Sequence, residues 1–223
     1  MKSLQKFGGI SALYMAFAHL TGLIIFIAIL DYISITDLAQ KVAVNVNNQA
    51  VVFSTNLLMY VFFGFFLIVF SLALYNRLKT GAPALMQVAT VIGIIWAGSL
   101  MASGMAANAG LTSVVSQYAK DPAQAALTFD VIDAIATKGL GYGNGDILGG
   151  LMTLLISLAA LKAGGLPKVL SIIGLVVGAM GIFSLIPMLT GTLAPVFGLG
   201  QIIWFIWIGI VLLRSNPKME SLN

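Results

Sequence analysis

Six runs of apolar residues, each near the length that crosses a lipid hydrocarbon core, leave this chain few ways to fold. A helix needs about 20 residues to traverse the roughly 30 Å of hydrocarbon. The runs are read at 8–30, 52–75, 85–107, 146–161, 168–190 and 196–213. The fourth is short and opens on glycines, so 140–145 stays open as part of it. Peptide groups inside hydrocarbon have no water to bind, so a spanning segment must satisfy its own hydrogen bonds, as a helix does. The expected fold is therefore all-α: a polytopic transmembrane helical bundle of about six spans, built as a single domain over 1–223. Composition agrees. Charged residues make up 8% of the chain and hydrophobic ones 60%, whereas a soluble domain is roughly 25% charged.

Lys2 and Lys6 precede the first run as they would a signal peptide. The run is longer than the ~7–15 apolar residues of a signal core, and no small-x-small cleavage site follows promptly, so it is read as a retained helix. Orientation follows from where Lys and Arg fall. Lys2, Lys6, Arg77, Lys79, Lys162, Lys168, Arg214 and Lys218 gather on one side, and Lys41, Lys120 and Lys138 on the other. The acids run the opposite way: Asp31, Asp37, Asp121, Asp130, Asp133 and Asp146 outside, Glu220 inside. Both termini are thus expected in the cytoplasm, with the chain in the cytoplasmic membrane of a bacterium. The basic residues sit near helix ends rather than on one face, so the net charge of +4 is not a nucleic-acid signal. The chain has no cysteine, which excludes disulfides, thiolate nucleophiles, iron–sulfur clusters and structural zinc.

The outer loops carry helical signals of their own. Asp121-Pro122-Ala123-Gln124 reads as a helix start: an N-cap acid, proline at the first helical position, and glutamine three residues after the cap. Beyond it Leu127, Val131, Ile132 and Ile135 form an apolar stripe, and Asp130, Asp133 and Thr137 a polar one. This is an outer amphipathic helix, lying on the surface or running on into the fourth span. The segment 34–49 admits the same reading. On the inner side, the turns at 78–83 and 161–167 share a Lys, Gly, Pro pattern. Either spans 2–3 and 4–5 are a duplicated hairpin, or short inner turns simply favour these residues.

Several segments together resemble a known family. These are Asn56-Leu57-Leu58, Leu72-Ala73-Leu74-Tyr75, Leu166-Pro167-Lys168-Val169-Leu170 with Gly174, and the Gly200, Trp204, Trp207 pattern. The chain resembles a bacterial family of six-helix membrane proteins described only as a domain of unknown function. The resemblance implies a fold and a location, and no activity or catalytic residues.

Candidate chemistry is sparse. His19, the one histidine, sits mid-way along the first span, where a polar side chain either finds a packing partner or serves a ligand or proton. Trp96, Trp204 and Trp207 fall mid-span, although tryptophan usually collects at interfaces. Were spans one, three and six neighbours, these rings would line a pocket for a small apolar or aromatic ligand; otherwise they are ordinary packing. Asn56, Asn108, Asn144, Asp146 and Gln201 are biased to the outer half, as a wet vestibule or as interhelical hydrogen bonds. Gly174 and Gly178 form a GxxxG pair, and Ser99, Ser103 and Gly104 line span three, serving the internal bundle or an oligomer. The 138–146 segment is a distant likeness of a potassium filter, lacking its threonine. Ser103-Gly104 with His19 is a distant likeness of an intramembrane serine protease, with Met101 where a glycine belongs. Asp130 and Asp133, one turn apart, could pair over a cation, as could the acids of any amphipathic helix.

Two functions remain open. One is a non-catalytic accessory, assembly or sensing role beside a membrane protein or a second copy. The other is transport or binding of a small ligand at His19 and the tryptophans, with Pro187 loosening the outer end of span five. No cofactor or metal is expected beyond the lipid bilayer itself.

Overall fold

The computed structural model describes residues 2–214, apart from the side chains of Lys2, Tyr142 and Asn144. Lys218 and Glu220, used above for orientation, lie outside the described residues. The described chain is an all-α membrane bundle. Its elements are α1 (Lys2–Leu23), α2 (Leu38–Asn47), α3 (Gln49–Asn56), α4 (Phe63–Leu78), α5 (Pro83–Tyr118), α6 (Pro122–Ile132), α7 (Asn144–Ala163), α8 (Lys168–Phe183) and α9 (Pro187–Arg214). Wider π-helical turns follow α1 at Ile24–Ile29, join α3 to α4 at Leu57–Phe62, and join α6 to α7 at Asp133–Gly143. Five helical stretches are long and apolar enough to cross a membrane, and α8 is a shorter apolar helix.

The element ends differ from the sequence reading in instructive places. Helix α5 continues to Tyr118 instead of stopping at 107, because Leu111 and Val114 are buried in small cores. The expected span 168–190 ends at Phe183, and α9 begins at Pro187. Pro187 therefore starts a helix, where its missing N–H costs nothing, rather than loosening the end of one. Two hydroxyls secure the turn between them. Ser184 Oγ donates to Gly181 O (2.7 Å), and Thr190 Oγ1 donates to Ser184 O (2.6 Å). The segment 138–146 is helical throughout, which removes the extended filter-like reading.

The chain forms two compact units, each assembled from separated segments. Among the described residues the first comprises 2–17, 65–97 and 145–214, and the second 18–64 and 98–144. In the first unit α8 packs along α9, and the two inner turns meet: Arg77 Nε donates to Gly165 O at 2.6 Å. Gly164, at φ 74°, supplies the left-handed residue that this turn requires. In the second unit α2 packs on α6. Val42, Val114 and Ala125 form a closed core there, bordered by Leu38, Val46, Tyr118 and Phe129. The expected N-cap is present, with Asp121 Oδ1 accepting from Gln124 N at 3.0 Å. Asp37 caps α2 in the same way through Gln40 N at 2.8 Å.

Candidate functional site

In the first unit, polar side chains converge where α7, α8 and α9 meet. Helix α8 buries Ser171, Gly174, Gly178 and Gly181 at steps of three and four residues, so they share one face. Helix α7 presents Gly150, Thr153 and Ser157 at the same steps. A Cβ added to Gly178 would lie 2.7 Å from the carbonyl oxygen of Gly150, and one added to Gly150 would lie 2.8 Å from that of Gly178. The two backbones are in contact, which only small residues permit.

That approach brings three predicted residues into one neighbourhood. Gln201 is 1% exposed; its Nε2 donates to Thr153 Oγ1 at 2.9 Å, and its Oε1 lies 3.2 Å from the same hydroxyl. Ser157 Oγ donates to Thr153 O at 2.7 Å. Trp204 is buried edge-on to Phe70 (centroids 5.9 Å, 87°) and beside Phe205 (5.6 Å). Its indole nitrogen points at Gly174, where an added Cβ would lie 2.6 Å away. That nitrogen has no hydrogen-bond acceptor among the described residues. Asp146 begins the same polar face of α7, its Oδ2 accepting from Ser184 Oγ at 3.3 Å. Trp96 lies buried against Gly145 and Gly149, and Trp207 is half-buried on α9.

His19 and Asn56 belong to the second unit. The half-buried His19 ring stands edge-on to Phe63, with centroids 5.0 Å apart at 84°. Asn56 Nδ2 donates to Asn108 Oδ1 (2.9 Å), and Asn108 Nδ2 donates to Phe53 O (3.1 Å). Ser99 and Ser103 donate to Leu140 O and Ala136 O, each at 2.8 Å, so both hydroxyls hold the π-helical segment. An open groove of about 280 Å³ is lined by Gln49, Ala50, Phe53, Leu111, Thr112 and Val115, none of them ionisable. None of the residues proposed from sequence lines it. The Asn144 side chain is outside the described residues.

Sequence reasoning missed Thr153, Ser157 and Ser184. The signal existed: Asp146, Gly150, Thr153 and Ser157 recur at steps of four, three and four along one apolar helix. Their partners on α8 and α9 could not be named without the packing.

The profile of a family described as "Domain of unknown function (DUF4386)" matches residues 10–213. The chain belongs to this family. The match runs from within α1 to the end of α9 and takes in every element named above, in keeping with an all-α membrane fold for DUF4386. No curated protein and no solved structure matches the chain.

Proposed function

We propose that this protein is a non-catalytic, six-span component of a bacterial cytoplasmic membrane, with both termini cytoplasmic, that works by packing against another membrane protein through its outer face. The observation that carries the reading is on α6 and the turn after it. Leu127, Val131 and Ile135, at steps of four, are 61%, 58% and 62% exposed, while Ala125 is fully buried. Ala125 and Phe129 serve the internal core; the three aliphatics serve nothing within it. Neighbouring α5 turns Thr112, Ser113 and Ser116 outward, as a water-facing helix does. The helical stretch Pro122–Ala163 has 42 residues, about twice the ~20 that cross a hydrocarbon layer, which supports α6 serving a neighbour outside the lipid.

Native mass spectrometry of the protein, extracted gently from its own membrane, tests this. A co-purifying chain that is lost in Leu127→Ser/Val131→Ser supports the role. Retention of lipid alone by the wild type overturns it.

A second reading, binding of a small ligand in the first unit, is favoured by the Trp204 indole N–H, which is buried and unmatched. A buried donor without an acceptor costs about 1–3 kcal/mol, and a ligand oxygen would recover that. A small mass bound to the wild type and lost in Trp204→Phe supports this reading.

A further inference from the structure

Asp146 lies between Lys138 and Lys162, the nearest charged residues in sequence, and packs against a hairpin that carries no charge from 169 to 213. Sixteen residues separate it from Lys162, and sixteen separate its partner Ser184 from Lys168. Both therefore stand about 24 Å from the basic end of the α7–α8 pair at ~1.5 Å per residue, short of the ~30 Å hydrocarbon thickness. A carboxylate at that depth is expensive unless something neutralises it.

Its surroundings do not supply a positive charge. Among the described residues Asp146 forms no ion pair; the ion pair nearby joins Lys138 to Asp133. Helix α5, which brings Trp96 against this turn, has no charged residue over 83–118, and α8 and α9 offer none over 169–213. The π-helical segment runs directly into α7, so Asp146 does not sit at a free helix start with spare amide donors. The one helix end it touches is the wrong one. A Cβ on Gly181, in the last turn of α8, would lie 2.8 Å from the Asp146 carbonyl oxygen, and the C-terminus of a helix carries partial negative charge.

We infer that Asp146, with Ser184 and the C-terminal turn of α8, forms a proton-binding site within the membrane. A proton fits better than a metal ion, because no group of three acids or histidines gathers among the described residues, and the carbonyls at the end of α8 each already accept a hydrogen bond. Met180 O accepts from Ser184 N (2.9 Å), Gly181 O from Ser184 Oγ (2.7 Å), Phe183 O from Ile186 N (3.1 Å) and Ser184 O from Thr190 Oγ1 (2.6 Å). The carboxyl group shares the single Ser184 hydroxyl hydrogen with Gly181 O, at the longer of its two distances (3.3 Å). Proton uptake removes the charge, and the resulting O–H donates within the same cluster. The hydroxyl of Ser184 contacts both the carboxyl group and its own helix end, so the protonation state of Asp146 is linked to the α8–α9 turn.

The test is infrared difference spectroscopy of the full chain in lipid nanodiscs, titrated with pH in potassium buffer. The wild type should show a carboxylic-acid C=O band that persists to higher pH than the bands of the exposed acids. Asp146→Asn should abolish that band, and Ser184→Ala should keep it while shifting its frequency and the pH at which it disappears. Persistence of the band in Asp146→Asn overturns the inference, as does a wild type in which no such band is separable from those of exposed acids. Loss of the band on adding sodium at constant pH overturns it in favour of a metal-cation site. Should Asp146→Asn fail to fold, Ser184→Ala decides: an unmoved band rejects the site.

Discussion

Residues that look alike in the sequence meet different fates here because each is judged by what lies across from it. Trp204 and Trp207 are one helical turn apart on α9, yet Trp204 is 1% exposed within an aromatic cluster and Trp207 is half-buried. Trp204→Ala should destabilise the fold by about 3–5 kcal/mol, as expected when a large buried ring is removed, and thermal unfolding in detergent measures it. Gly150 and Gly178 carry no chemistry but set the distance between α7 and α8. Gly178→Val would place side-chain carbons on the Gly150 carbonyl, and the expected outcome is loss of monodisperse protein in size-exclusion chromatography. From the sequence Arg77 is legible only as one of the basic residues gathered on one side. Its hydrogen bond to Gly165 O is worth about 1.5–3 kcal/mol by the usual range for a charged donor, so Arg77→Ala should lower the unfolding temperature measurably.

At the scale of elements, the amphipathic pattern on 122–137 gave the right helix and left its inward side undecided. The Asp-Pro-x-Gln start is local chemistry, and the cap forms as expected. Asp121→Ala should cost about 1 kcal/mol, seen as faster hydrogen exchange confined to α6. Of the apolar stripe, Leu127, Val131 and Ile135 face away, because Ala125 and Phe129 fit against Val42 and Val114, while Ile132 turns inward against Gly110. The boundary between α8 and α9 was misplaced for a related reason. Ser184 is the one polar residue between Phe183 and Leu189, too little for hydropathy to mark, and the turn is held by the Ser184 and Thr190 hydroxyls instead.

For the molecule as a whole, orientation is the property most open to a direct check. The chain has no cysteine, so single-cysteine variants report without background. With both termini cytoplasmic, Ser116→Cys should react with an impermeant maleimide in intact spheroplasts, and Thr80→Cys only after permeabilisation. The reverse pattern would refute the charge-based topology. Each unit draws on segments far apart in the chain, so no contiguous fragment contains one unit without part of the other, and truncations should lose helices rather than release a folded piece.

Hydropathy and charge alone set the solvent, the helical class and the approximate placement of most spans. These follow from the cost of placing charges and open peptide groups in hydrocarbon, a cost paid residue by residue along the chain. Tertiary structure decided which polar groups serve each other: Gln201 with Thr153, Asn56 with Asn108, and Asp146 with Ser184. Those pairings depend on helix rotation and on backbone contact at small residues. Lipid tails are as apolar as leucine, so inside a bilayer hydrophobicity does not choose which helix faces meet, and close packing does.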